Sequence, residues 1–211
     1  MIEMKTVVTS IAQSNCYLVM DPDTKRGFVV DPGDDAKRII RGIESIGMKP
    51  EAVLMTHGHF DHIYAAPEIC EYFRIPSYIG EHDDEMAKEP ALNCGRNAPG
   101  GGQSVRADHL LKDNEELHLF TDVKVLETPG HTPGGVCFYL PKEQAVFTGD
   151  TLFYGTVGRT DLYGGSMENL LQSIAEKLAV LPEETCVYPG HGYPTKIGRE
   201  KAFNPFLNRT Y

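Results

Sequence analysis

Residues 52–62 read AVLMTHGHFDH: a four-residue apolar run passes through one threonine into His57, His59, Asp61 and His62. The apolar run Ala52 to Met55 has the length and bounding of a buried strand. The residues after it cannot be core. In an extended or turning segment, residues two apart point the same way, so His57 and His59 can grip one ion together. Asp61 and His62 then project elsewhere and can reach a second ion. Gly58 lets the backbone wrap tightly between the two histidines. Imidazole and carboxylate donors suit zinc, iron or manganese better than calcium.

The same pattern, an apolar β-run ending in a loop that bears His or Asp, occurs three more times downstream. VKVLE leads into TPGH, ending at His131. AVF leads into TGD, ending at Asp150. VY leads into PGHG, which holds His191 between two glycines. Four strands that deliver polar residues at their C-terminal ends imply that those ends converge on one edge of a sheet system. That edge is where α/β folds usually place their sites. Helices are expected between the strands. One spans Ala36 to Ile46, with Ile39, Ile40, Ile43 and Ile46 at helical spacing and Gly47 ending it. Others are expected over 63–74, over Asp83 to Lys88, and over Met167 to Leu178 with Leu170, Leu171, Ile174 and Leu178 on one face. Further strands are expected at Asn15 to Met20, Gly27 to Asp31, 75–80, 116–120 and 136–140. The DPGD turn (Asp31 to Asp34) is expected to supply helix-capping carboxylates, and the stretch after His191 reads as a polar tail. Strands interleaved with helices at this rhythm indicate an α/β layer architecture with helices outside. The stretch Asn93 to Gln103, with four glycines, reads as a mobile surface loop and a candidate lid.

Composition narrows the function. The 211 residues carry 30 acidic and 20 basic side chains, a net charge of −10, which argues against duplex nucleic acid as a partner. No apolar run approaches the ~20 residues needed to cross a bilayer, and the N-terminus does not read as a signal peptide. The expectation is a single domain over 1–211 in the cytoplasm, without membrane contact. The five cysteines are scattered with no C-x-x-C pair, so neither a disulfide framework nor a thiolate zinc site is indicated. They are expected to be mostly buried, with Cys94 the exposed exception.

The order THGHFDH, PGHTPG, TGDTLF, PGHG resembles the metallo-β-lactamase superfamily, and within it the glyoxalase II branch; the resemblance covers about residues 15 to 208. It implies a four-layer αββα sandwich with two divalent metals at its edge, zinc first and iron or manganese as alternatives. Carried over, His57, His59 and His131 hold one metal, Asp61, His62 and His191 the other, and Asp150 bridges both. Two such cations about 3.5–4 Å apart can share a water and lower its pKa to near neutral, giving a bridging hydroxide for attack on a carbonyl. Asp61 can orient that hydroxide or take its proton after attack.

For substrate, the resemblance implies a small-molecule thioester such as S-lactoylglutathione, or an ester. Gly158 to Asp161 (GRTD) is similar to a segment in which glyoxalase II places a basic glutathione contact. Arg159 is therefore a candidate anion anchor, with a salt bridge to Asp161 as the other reading. Full-length glyoxalase II continues into a helical domain that supplies much of the glutathione site, whereas this sequence stops about twenty residues past His191. Lys196, Arg199, Lys201 and Arg96 are substitutes to consider. A mono-iron persulfide dioxygenase using only His57, His131 and Asp150 is the alternative, and a lactonase or β-lactamase-type hydrolase the next. Persulfide dioxygenases usually carry alanine before the last histidine, where this chain has Gly190.

Overall fold

The computed structural model describes residues 2–99 and 101–208. A first six-stranded sheet is formed by β1 (Glu3–Val8), β2 (Asn15–Met20), β3 (Arg26–Val30), β4 (Lys49–Met55), β5 (Ser77–Gly80) and β6 (His109–Leu111), adjacent in that order. The β1, β2 and β3 strands pair antiparallel, and from β3 onward the pairing is parallel. A second sheet contains β7 (Glu116–His118), β8 (Asp122–Glu127), β9 (Val136–Leu140) and β10 (Ala145–Gly149). After a small hairpin of β11 (Leu152–Phe153) and β12 (Thr156–Val157), β13 (Cys186–Pro189) and β14 (Thr195–Lys196) complete it. The helices are α1 (Ala36–Ser45), α2 (Phe60–Ile63), α3 (Ala66–Phe73), α4 (Asp84–Lys88), α5 (Met167–Ser173) and α6 (Ile197–Phe203).

The period-2 alternation of strand side chains explains the layering. In β2, Cys16, Leu18 and Met20 face a cluster completed by Ile39, Ile40 and Ile43 of α1 and Ile69 of α3. Tyr17 and Val19 face the other way, into the seam between the sheets. In β4, Val53 and Met55 join the first cluster while Ala52 and Leu54 join the seam. In the second sheet, Val136, Phe138, Ala145 and Phe147 fill the seam. Cys137, Tyr139, Val146 and Val187 turn outward onto Leu170, Ile174, Leu178 and Ile197. Helices, sheet, sheet, helices: the expected four-layer αββα sandwich is what these residues build. Strands buried on both faces explain why β2, β9 and β10 read as continuous apolar runs.

Strand direction brings the loop ends together. The β8 and β10 strands both pair antiparallel with β9, and β10 is parallel to β13. Hence β8, β10 and β13 all point one way, and the loops after them open on one edge. There they meet the loop after β4, through a backbone bond from Val136 N–H to the Thr56 carbonyl (2.8 Å).

Several expectations need correction. Strand β1 lay outside the expected set, as did the short strands β6, β11, β12 and β14. The polar tail holds α6, kept in place by the buried Glu200 rather than by an apolar stripe. The α5 helix ends at Ser173 and continues as π-type turns over Ile174–Leu178, with Leu171 only half-buried. The helix expected over 63–74 is split into α2 and α3, and Asp83 lies in a 3₁₀ turn before α4. The DPGD carboxylates cap nothing: Asp35 occupies the N-cap of α1 without a side-chain cap bond. Asp34 instead accepts the Ser10 and Ile11 N–H groups. The 93–103 loop contains a 3₁₀ turn at Gly95–Asn97 and is pinned at both ends. Asn93 is buried and donates to the Ala87 and Gln103 carbonyls, and the Gln103 N–H donates to the Tyr64 hydroxyl. Gly100, within the expected lid, lies outside the described residues. Cys16 and Cys137 are buried, Cys70 and Cys186 half-buried, and Cys94 exposed. No helix among the described residues is long and apolar enough to cross a membrane.

Candidate metal centre

The loop after β4 divides its side chains as the spacing predicts. His57 and His59 precede α2, with His59 extended at its N-cap, whereas Asp61 and His62 sit on the helix itself. That change from extended to helical backbone sends the two pairs in different directions. His57 and His59 gather with His131, and Asp61 and His62 gather with His191. Within each trio, one donor atom per residue lies within 4.8 Å of the others.

Three of the five histidines, His57, His131 and His62, are aimed by a bond at the far nitrogen. His57 Nδ1 lies 3.0 Å from the Thr56 hydroxyl, leaving Nε2 facing the site. His131 Nδ1 donates to the Arg159 carbonyl (2.7 Å), leaving its Nε2 facing inward, 3.0 Å from His59 Nδ1. His62 Nδ1 contacts Asp31 Oδ2 at 3.0 Å, so its Nε2 points at the second trio: 3.5 Å from Asp61 Oδ2 and 3.3 Å from His191 Nε2. Asp150 Oδ2 lies 3.6 Å from both His131 Nε2 and His191 Nε2, and Oδ1 is 3.5 Å from His62 Nε2. It stands between the two trios. All seven residues singled out as ligands therefore meet.

Burial and charge set the protonation. Burial drives His57 well below the usual imidazole range, helped by the neighbouring imidazoles, and lowers His59 to about 4. For His62 burial acts the same way, but the carboxylates of Asp61, Asp150 and Asp31 outweigh it and raise the group to about 10. His191 is also raised, burial being overcome by Asp61 and Asp150. Burial would raise Asp61, yet His62 and His191 hold it well below the usual carboxylate range. His57 and His59 thus offer neutral imidazoles and Asp61 an ionised carboxylate; metal binding displaces the proton that His62 carries without it. His57 Nε2, His59 Nε2 and Asp150 Oδ1 are buried with no hydrogen-bond partner among the described residues. Buried polar atoms without partners are costly; a cation would satisfy His57 Nε2 and Asp150 Oδ1, whereas His59 turns its Nδ1, not its Nε2, toward His131 and the site. The residues fit divalent metal.

Arg159 presents its carbonyl, not its side chain, to His131. Its exposed guanidinium is held by Asp161 through two 2.7 Å bonds, Nε to Oδ1 and NH2 to Oδ2. Lys196 pairs with Glu184, Lys201 with Glu183, and Arg199 with Glu200 while lying 3.6 Å over the Tyr154 ring. A cleft of about 350 Å³ opens beside His191, lined by Phe153, Tyr154, Thr156, Gly192 and Tyr193. The His191 side chain is 30% exposed, against 14% for Asp61 and Asp150, so the centre opens to solvent on that side.

Two buried carboxylates at the site went unrecognised in the sequence. Asp31, at the end of β3, accepts the Thr56 N–H and hydroxyl (2.7 Å each) besides meeting His62. Its signal was present: VVD-PG is another apolar strand ending in an acid, but Pro and Gly made it read as a turn. The other is Asp83, which accepts the Gly58 N–H.

An αββα sandwich with seven His and Asp residues gathered at one edge defines a class, and the family comparison agrees. Residues 10–191 match the metallo-β-lactamase superfamily, and the chain belongs to it. It is 36% identical over 206 residues to the hydroxyacylglutathione hydrolase GloC of Haemophilus influenzae, covering 93% of each chain. Among solved structures it is similar to the BLEG-1 B3 metallo-β-lactamase (TM-score 0.92, 39% identity, 98% of this chain and 100% of that one). It is also similar to TTHA1623 in a di-iron-bound form (TM-score 0.85, 36% identity, 96% and 100%). A metal-dependent hydrolase fold is thereby established.

Proposed function

We propose that this chain is a binuclear metal-dependent hydrolase that cleaves a small-molecule thioester such as S-lactoylglutathione. The observation that carries the reading is Asp150, standing 3.6 Å from a histidine of each trio. A carboxylate so placed would lie within reach of an ion in either trio. His57, His59 and His131 would hold one metal, Asp61, His62 and His191 the other, and Asp150 would reach both. Bound there, a pair of divalent ions supplies Lewis acidity and lowers the pKa of bound water. Zinc is the first choice for such a donor set, and iron is supported by the di-iron form of TTHA1623.

The chain's own groups do the rest. Asp61, ionised and partly open, accepts a hydrogen bond from an attacking water and so orients it toward a carbonyl carbon. The aromatic cleft of Phe153, Tyr154 and Tyr193 borders His191 and offers apolar walls for one half of the substrate. Arg159, at the end of its bond to Asp161, would meet an anionic group on the thiol half. The name of GloC supports the thioester. The complete trio of Asp61, His62 and His191 favours this reading over a mono-iron dioxygenase, which would leave it unused.

The test is hydrolysis of S-lactoylglutathione by metal-loaded protein, with metal counted per chain and His57→Ala as control. A cephalosporin is run beside it, since BLEG-1 is named a β-lactamase. Turnover abolished in the control supports the proposal. Two metals without thioester turnover would refute the substrate, and a single iron would refute the binuclear site.

A further inference from the structure

Asp83 belongs to neither trio, yet it is fully buried beside them. It lies where the 3₁₀ turn Glu81–Asp83, following β5, passes into α4. Each of its carboxylate oxygens accepts one backbone N–H. Oδ2 takes that of Gly58, at 2.8 Å, and Oδ1 that of Gly134, at 2.6 Å. Gly58 separates His57 from His59; Gly134 follows His131 by three residues. One loop leaves the first sheet and the other the second, so a single carboxylate spans the gap between them.

The backbone around this clamp has no slack. A Cβ on Gly134 would lie 2.2 Å from Asp83 N, and one on Gly80 would lie 2.2 Å from the Gly134 carbonyl oxygen. A Cβ on Gly58 would meet Met86 at 3.0 Å and the Asp83 carbonyl at 3.2 Å. The chain therefore approaches both ligand loops closely enough for a short acidic side chain, and nothing longer, to hold them. Two acceptors on one rigid group suit two N–H donors; an amide has only one oxygen and would turn its own N–H groups against one of them.

The geometry points to Asp83 as the positioning residue that sets His57 and His59 against His131, and so governs the metal affinity of that trio. This rests on the two-metal reading above. Asp83 contacts no substrate and acts only through the two loops. It has no bond to Asp61, His62 or His191, so its influence on the second position is indirect.

The experiment is a stepwise cobalt titration against a chelator, read by absorption, for wild type, Asp83→Asn and Glu200→Gln. Glu200 is an equally buried carboxylate bonded to Thr195 and the Gly155 N–H, away from both ligand loops. Outer residues that orient metal ligands typically contribute ~10–100-fold in affinity. D83N is expected to weaken one of the two binding steps by that factor, to alter the cobalt spectrum of that step, and to spare the other. E200Q is expected to lower the melting temperature while leaving the ratio of the two steps unchanged. Equal weakening of both steps in D83N, the same ratio change in E200Q, or no change in D83N would overturn the role. If wild type binds no cobalt, the metal reading itself fails. Should D83N not fold, hydrogen exchange in wild type decides. Gly58 and Gly134 amides protected together, and more so with metal, support the clamp; free exchange of either in folded protein refutes it.

Discussion

Gly190→Ala adds one methyl group at the point where both trios meet. The new Cβ would lie 2.3 Å from Asp150 Oδ1 and 2.6 Å from His62 Cε1. Ordinary contacts between non-bonded atoms lie at roughly 3.5–4 Å, so these neighbours must retreat by about 1 Å. The backbone cannot move instead. Gly190 N–H donates to the Gly149 carbonyl (2.8 Å), and its own carbonyl accepts from Asn15 N–H (2.7 Å). His62 is fully buried and tied to Asp31, which leaves Asp150 to take up the displacement. Misplacement by about 1 Å can cost ~10²-fold in rate, equivalent to about 2.7 kcal/mol of transition-state stabilisation. On the proposed binuclear thioesterase reading, G190A is expected to hold one metal, at His57, His59 and His131, instead of two, with thioester turnover about 100-fold lower. The assay pairs metal analysis after dialysis with steady-state hydrolysis, and a melt of the metal-free protein checks folding. Two metals and an unchanged rate would refute the reasoning. Alanine is usual at this place in persulfide dioxygenases, so the same variant asks whether one methyl group separates the two site types.

Single groups elsewhere carry three more predictions. Asp31→Asn offers Thr56 and His62 one acceptor oxygen instead of two, so affinity at the Asp61, His62 and His191 position should fall ~10–100-fold in chelator competition; equal affinity would count against the role given to Asp31. In the metal-free protein, His59 takes a proton only near pH 4, whereas the unfolded chain does so near 6.5, so stability is lost as pH falls through that window. His62, raised to about 10, contributes stability present below 6.5 and lost as pH rises toward 10. The melting temperature should therefore peak near pH 6.5, and a flat profile would contradict this protonation pattern. Arg159→Ala should raise KM for S-lactoylglutathione several-fold with kcat kept, and Asp161→Ala, which frees the guanidinium, should lower KM; no change in either would leave the pair a surface ion bridge.

The ligand set was legible because each member stands where an apolar run stops. A histidine or aspartate at the end of AVLM, VKVLE, AVF or VY has no place in a core, and four such endings share one explanation. The α1 helix was legible because Ile39, Ile40 and Ile43 repeat at its period. Strand β1 was not: EMKTVV buries only Val7, and pairing with β2 makes it a strand. Nor was α6, whose hold comes from Glu200 bonding Thr195, Gly155 and Asn204. Such bonds depend on how the folded chain brings side chains together and leave no periodic trace. Asp31 and Asp83 share that property. Both are buried acids whose partners are backbone N–H groups or another residue's far nitrogen, and acids beside turns ordinarily read as solvated.

Neither trio belongs to one sheet. The loop after β4, on the first sheet, provides His57 and His59 to one trio and Asp61 and His62 to the other. The second sheet supplies the third member of each, His131 and His191, together with Asp150 between them. Each position is therefore complete only when the sheets are docked across the seam filled by Tyr17, Phe28, Phe138 and Phe147. An ion bound in either trio ties the two halves together, and favours the folded state by the free energy of its binding. Two carboxylates reach across the halves: Asp83, bonded to a loop of each sheet, and Asp150 of the second sheet, whose Oδ1 lies 3.5 Å from His62 Nε2 of the first. A sandwich that keeps its site at the open edge of the seam makes the spacing between its sheets a property of the chemistry as well as of the core.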